Sequence, residues 1–85
     1  MSMSPVELRT YTGKYGIRSI RLEKDILVYQ REGRDPTTLV PMAADLFAFA
    51  DTADVRVRFR RSGGKVVGFD QITVDGQVLP SERTP

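Results

Sequence analysis

The sequence contains no cysteine and no histidine. Without thiols there is no disulfide, no thiolate metal site and no thiol nucleophile, and the redox compartment is left open. Without imidazole the chain lacks the usual general base at neutral pH, the commonest transition-metal ligand and the side chain that switches charge near neutrality. Ser-His-Asp and Cys-His catalysis are therefore excluded by count. No apolar run approaches the roughly 20 residues of a membrane-spanning helix, and Met1 to Arg9 lacks the apolar centre of a secretory signal. The expectation is a soluble chain with no membrane association, cytoplasmic as given, and periplasmic or secreted if it is excised from a larger exported protein.

Charge of one sign is also scarce. Thirteen basic residues, ten of them arginine, stand against 11 acidic ones, a net charge of +2. A nucleic-acid footprint normally needs more charge or tighter clustering, so nucleic acid is not the expected partner. With 85 residues the chain has room for one hydrophobic core and a thin stability margin. Below about 80 residues such a core supplies only a few kcal/mol, which leaves a homodimer, or a partner on a parent or separate chain, as a source of further stabilisation.

What is present is two-residue alternation punctuated by turn residues, the signature of short β-strands. Residues 1–8 read as a lead-in with one turn of helix near Pro5, residues 9–80 as a single β domain, and residues 81–85 as a frayed tail. Tyr11 to Tyr15 is the opening strand. If Lys24-Asp25 is a two-residue turn after Ile17 to Glu23, Leu22 faces Leu27 and Ile20 faces Tyr29. The opposite face then carries Ile26 and Val28 and calls for partial cover. A second hairpin over Thr37 to Asp51 sets Leu39 opposite Phe49 and Pro41 opposite Phe47. Pro41 has no N–H to donate, which puts its strand at an edge or ends it there.

In the third hairpin Val55, Val57 and Phe59 alternate with Arg56, Arg58 and Arg60, and Ser62-Gly63-Gly64 reverses the chain. An odd-length loop with a glycine bulge keeps Phe59 and Val57 among Val67 and Phe69, and sets Arg56 or Arg58 opposite Asp70 as an ion pair. Asp75-Gly76 signals a type I′ turn. The sum is an all-β fold: an antiparallel up-and-down meander of about eight short strands that curls strongly or closes into a small barrel.

Four constellations bear on function. Arg56, Arg58, Arg60 and Arg61 form a stripe whose alternate members lie roughly 7 Å apart on a strand; it reads as a solvated face, or as an anion or partner surface. Phosphate tracking along it needs stacking aromatics, and Phe59 and Phe69 lie on the other face. Gly13-Lys14-Tyr15-Gly16 has the G-x-x-G spacing of a nucleic-acid-binding loop but no flanking helices. Asp45, Asp51 and Asp54 are too few for calcium and read as turn residues. Arg18 and Arg31 pair at the end of the face that bears Tyr29, where they mark a barrel mouth able to receive an anionic head group or simply snorkel from its rim.

Taken in order, Leu8, Tyr11-Thr12-Gly13-Lys14-Tyr15-Gly16, Ile20, Leu22, Leu27, Tyr29, Leu39 to Pro41, Phe47 and Gly64-Lys65-Val66-Val67-Gly68-Phe69 form a pattern. From about Leu8 to Asp70 it resembles the β domain at the C-terminus of β-lactamase-related serine hydrolases and of some C-terminal processing peptidases, where Y-x-G-x-Y, L-x-P and G-K-V-x-G recur in that order. The resemblance implies a lipocalin-like accessory domain with no catalytic residues and no cofactor. The leading expectation is thus a non-catalytic interaction module that packs against a hydrolase or against itself. The alternatives are a small-molecule carrier using Arg18, Tyr29 and Arg31, and a nucleic-acid binder using the Arg56 to Arg61 stripe, with Arg56, Arg58 and Arg60 as its anion or partner surface.

Overall fold

The computed structural model describes residues 3–52 and 54–84. Among them lie one helix, α1 (Pro5–Arg9), and eight strands: β1 (Gly13–Tyr15), β2 (Arg18–Glu23), β3 (Ile26–Arg31), β4 (Thr37–Ala43), β5 (Leu46–Phe49), β6 (Arg56–Ser62), β7 (Lys65–Ile72) and β8 (Val78–Glu82). Each strand pairs antiparallel with the next, in the order β1-β2-β3-β4-β5-β6-β7-β8. The sheet curls until its ends meet. The Thr84 N–H donates to the Lys14 carbonyl at 2.7 Å, and the Gly16 N–H donates to Thr84 Oγ1 at 3.1 Å, giving a nearly closed barrel.

Local chemistry fixes most of the turns. Lys24 and Asp25 both take positive φ, 50° and 65°, the geometry of a tight hairpin whose twist matches its strands. Leu22 consequently faces Leu27, and Ile20 faces Tyr29. Leu39 faces Phe49 and Pro41 faces Phe47. The helix starts with a capping box in which Ser4 and Glu7 satisfy each other's backbone N–H groups, with Pro5 in the first turn. Its one buried side chain, Leu8, enters the core.

Several expectations are corrected. Pro41 is on neither an edge strand nor a strand end, since β4 lies between β3 and β5 and continues to Ala43. It is tolerated because the β3–β4 ladder stops at Leu27–Leu39, so its missing N–H leaves no partner unsatisfied. The β6–β7 turn is the even, two-residue Gly63-Gly64, with Ser62 opposite Lys65. Register is restored deeper in the ladder, where Arg60 faces Gly68 but Arg61 faces Val66. Val67 is the extra residue of that bulge, so Val66 enters the core and Val67 turns outward. Phe59 still meets Phe69.

Arg58 does lie opposite Asp70, yet the ion pair forms diagonally with Arg60, whose Nε is 3.3 Å from Asp70 Oδ1. At the β7–β8 connection only Gly76 has positive φ, so the turn is not type I′; a wider loop closes through Thr73 N–H to the Gln77 carbonyl. Residues 81–84 are not frayed. Ser81 is buried opposite Phe69, and Arg83 and Thr84 bind β7 and β1, because a curling sheet needs a last strand long enough to reach its first.

The interior is filled by its own side chains. Tyr15, Phe47, Phe69, Leu27, Leu39 and Val57 are fully buried. Edge-on and tilted ring contacts link Tyr11 to Phe47 (5.1 Å between centroids), Tyr15 to Phe69 (4.9 Å), Tyr29 to Phe49 (5.0 Å) and Phe59 to Phe69 (5.5 Å). Each such ring contributes roughly 1.5–3 kcal/mol by burial. The barrel interior therefore holds the hydrophobic core.

Candidate functional site

The antiparallel register gives the barrel two ends. One carries α1 and the turns after β2, β4 and β6; the other carries the longer connections after β3, β5 and β7. The proposed mouth residues lie toward the latter end, and the structure brings two of the three together. Arg18 Nε donates to the Tyr29 hydroxyl at 2.8 Å, and that hydroxyl donates to Gln71 Oε1 at 2.8 Å. Arg18 Nη1 reaches Ser81 Oγ at 3.1 Å. Arg31 stands opposite Arg18 in the ladder but is exposed. At the mouth Arg18 and Tyr29 are thus engaged in a polar relay with Gln71 and Ser81. Gln71 and Ser81 carry no sequence signal for this role, because only the closure of β7 and β8 over β2 brings them there.

The arginine stripe divides. Arg60 is held by Asp70 and by Glu82 Oε1 at 3.0 Å, contacts that raise its pKa, the Glu82 hydrogen bond most of all. Arg58 is exposed and has no carboxylate at ion-pair distance among the described residues. Arg56 is half-buried and, among the described residues, its guanidinium donates to its neighbour's carbonyl alone, at 3.4 Å from Val55 O. Arg58 and Arg56 lie opposite Leu46 and Ala48 of β5, which borders an unusual stretch of surface. On the outer face of β3 and β4, Ile26, Val40 and Met42 are 46%, 42% and 47% exposed, and Val28 is half-buried beside Thr38. Among the described residues nothing supplies the full cover expected over Ile26 and Val28.

At the helix end a second set of polar groups converges. The Tyr11 hydroxyl donates to Asp45 Oδ1 at 2.8 Å, Arg61 Nε donates to the same oxygen at 2.8 Å, and the Arg61 guanidinium lies 5.2 Å from the Tyr11 ring centre. Burial, reinforced by the Asp45 carboxylate, pushes the Tyr11 phenol up. Burial also opposes ionisation of Asp45, but the hydrogen bonds from Arg61 and Tyr11 and the arginine charge outweigh it, so its carboxyl lies below the usual range. This is a clasp that ties α1 to the β4–β5 turn and β6. Asp51 accepts from Thr37 in an ordinary turn role.

Comparison with known proteins finds no family model, no curated protein and no solved structure that matches this chain.

Proposed function

We propose that this chain is a non-catalytic interaction module whose outer β3–β4 face docks on another protein. The observation that carries the reading is the apolar face on which Ile26, Val40 and Met42 are exposed around half-buried Val28, beside Arg56 and Arg58. Apolar side chains gathered in one patch mark interaction surfaces, whereas scattered ones need no explanation. Uncompensated arginines at the margin favour a partner with an apolar centre and an acidic rim. A second copy is a poorer fit, because the margin that it would bring carries Arg56, Arg58 and Lys24. The packed interior and the engagement of Arg18 and Tyr29 by protein groups weigh against a carrier.

The resemblance of Tyr11 to Gly16, Leu39 to Pro41 and Gly64 to Gly68 to accessory domains of serine hydrolases makes a hydrolase domain the partner class. Co-expression with the hydrolase domain encoded nearest to this chain should yield one co-eluting complex, weakened by Val40→Glu and by Arg58→Glu while the barrel stays folded. Separate elution of the unaltered proteins sinks the hydrolase reading. A concentration-dependent dimer abolished by Val40→Glu would reassign the same face to self-association.

A further inference from the structure

Besides the β3–β4 face, the helix end holds a groove of about 560 Å3, lined by Thr10, Arg61, Gly64, Lys65, Val67 and Arg83 among others. Its volume is in the range of small-molecule sites. Three cationic side chains border it, and among the described residues only Arg61 has a carboxylate, Asp45, at ion-pair distance. Arg83 is held without one. Its Nη1 donates to the Val66 carbonyl at 3.0 Å, its Nη2 donates to the Thr12 carbonyl, and its guanidinium lies 5.8 Å from the Tyr15 ring centre. It also packs on Gly13, where an added Cβ would stand 3.1 Å from Arg83 Nε. The result is a half-buried cation fixed in one orientation with its charge not neutralised by any carboxylate among the described residues. Fixing such a group in advance removes much of the ordering cost of binding.

The β-bulge supplies the second element. By simple alternation Val67 would point inward with Phe69; the bulge turns it outward and leaves it 36% exposed beside Lys65 and Arg83. A tethered guanidinium, an exposed ammonium and an outward apolar side chain together suit one ligand chemistry. We propose that this groove binds a small amphiphilic anion, a carboxylate carried on an apolar chain, with the head group at Arg83 and Lys65 and the chain against Val67. A carboxylate would accept from the Arg83 N–H groups left over by the Val66 and Thr12 carbonyls and from the Lys65 ammonium, both charge-assisted contacts.

The test is a titration of the isotope-labelled chain followed by amide resonances, with octanoate, 1-octanol and inorganic phosphate as probes. Octanoate should shift Gly64, Val66, Val67 and Thr84 saturably, and bind at least about fivefold more tightly than either the neutral alcohol or phosphate. Lys65→Glu alters an exposed side chain outside the barrel's bonding and should weaken octanoate about fivefold with the spectrum otherwise preserved. No saturable shift at these amides, equal binding of 1-octanol or phosphate, or octanoate binding unchanged in Lys65→Glu would each overturn the proposal. None of these readings depends on the β3–β4 face, so the two proposals fail separately.

Discussion

Truncation after Glu82 removes Arg83, Thr84 and Pro85 and tests whether the barrel depends on its closure. The lost contacts are the Arg83 N–H to the Val67 carbonyl (2.9 Å), the Thr84 N–H to the Lys14 carbonyl (2.7 Å) and the Gly16 N–H to Thr84 Oγ1 (3.1 Å). Two guanidinium bonds to the Val66 and Thr12 carbonyls go with them. A net hydrogen bond contributes about 0.5–1.5 kcal/mol. Freed groups near the surface recover water, so the expected loss is about 2–4 kcal/mol rather than the full sum. A chain of 85 residues has a total stability of roughly 4–13 kcal/mol at about 0.05–0.15 kcal/mol per residue. With a urea slope of about 1 kcal/mol/M the unfolding midpoint should fall by roughly 2 M or more. A midpoint within about 0.5 M of the full chain would show that residues 83–85 are dispensable and would refute closure as a source of stability.

Two glycines should fail for different reasons. At Gly68 a Cβ would lie 2.6 Å from the Ser81 carbonyl oxygen of β8, so Gly68→Ala should cost about 3 kcal/mol or more by forcing β7 from β8, whereas Gly64→Ala, at φ 81° with open space around it, should cost about 1 kcal/mol in backbone strain; thermal melts of equal midpoint for the two would contradict this. Tyr11→Phe deletes the hydroxyl bonded to Asp45 and keeps the ring against Phe47, so a loss of about 1 kcal/mol in chemical denaturation is expected, and no loss would show the clasp to be idle. The Asp45 carboxyl is held below its ordinary value of 3.8, so its contribution is fully present above that value and is lost as pH falls through the lowered folded value. Asp45→Asn, which tolerates the positive φ there, should be less stable than the parent at neutral pH and converge with it in acid; a stability difference constant down to about pH 2 would refute the linkage.

The parts of the fold legible in the sequence are those set by neighbours along the chain. Lys24-Asp25 between alternating strands leaves few registers, and the core pairs Leu22–Leu27, Ile20–Tyr29 and Leu39–Phe49 follow once apolar residues share a face. The bulge at Val67 is not set by local sequence, because a Gly-Gly turn fits either an odd loop or an even turn with a bulge further in; packing Phe59 on Phe69 chooses the outcome but not the route. Of the mouth residues, Arg18 and Tyr29 were identifiable from the β2–β3 register alone. Their partners Gln71 and Ser81 are 42 and 63 residues distant from them along the chain, and short-range alternation carries no information about such pairs.

By itself the sequence determined that these 85 residues offer no thiol and no imidazole, and it determined the meander, since alternation and turn residues operate over a few neighbours. Tertiary structure decided everything that depends on the sheet meeting itself. It turned the C-terminal residues from a tail into a seam, because β8 must reach β1. It filled the space between strands with Tyr15, Phe47 and Phe69, because rings from distant strands converge only when the sheet curls. It also assembled Arg61, Lys65 and Arg83 along one groove, because the β6–β7 turn and the closing strand end at the same rim.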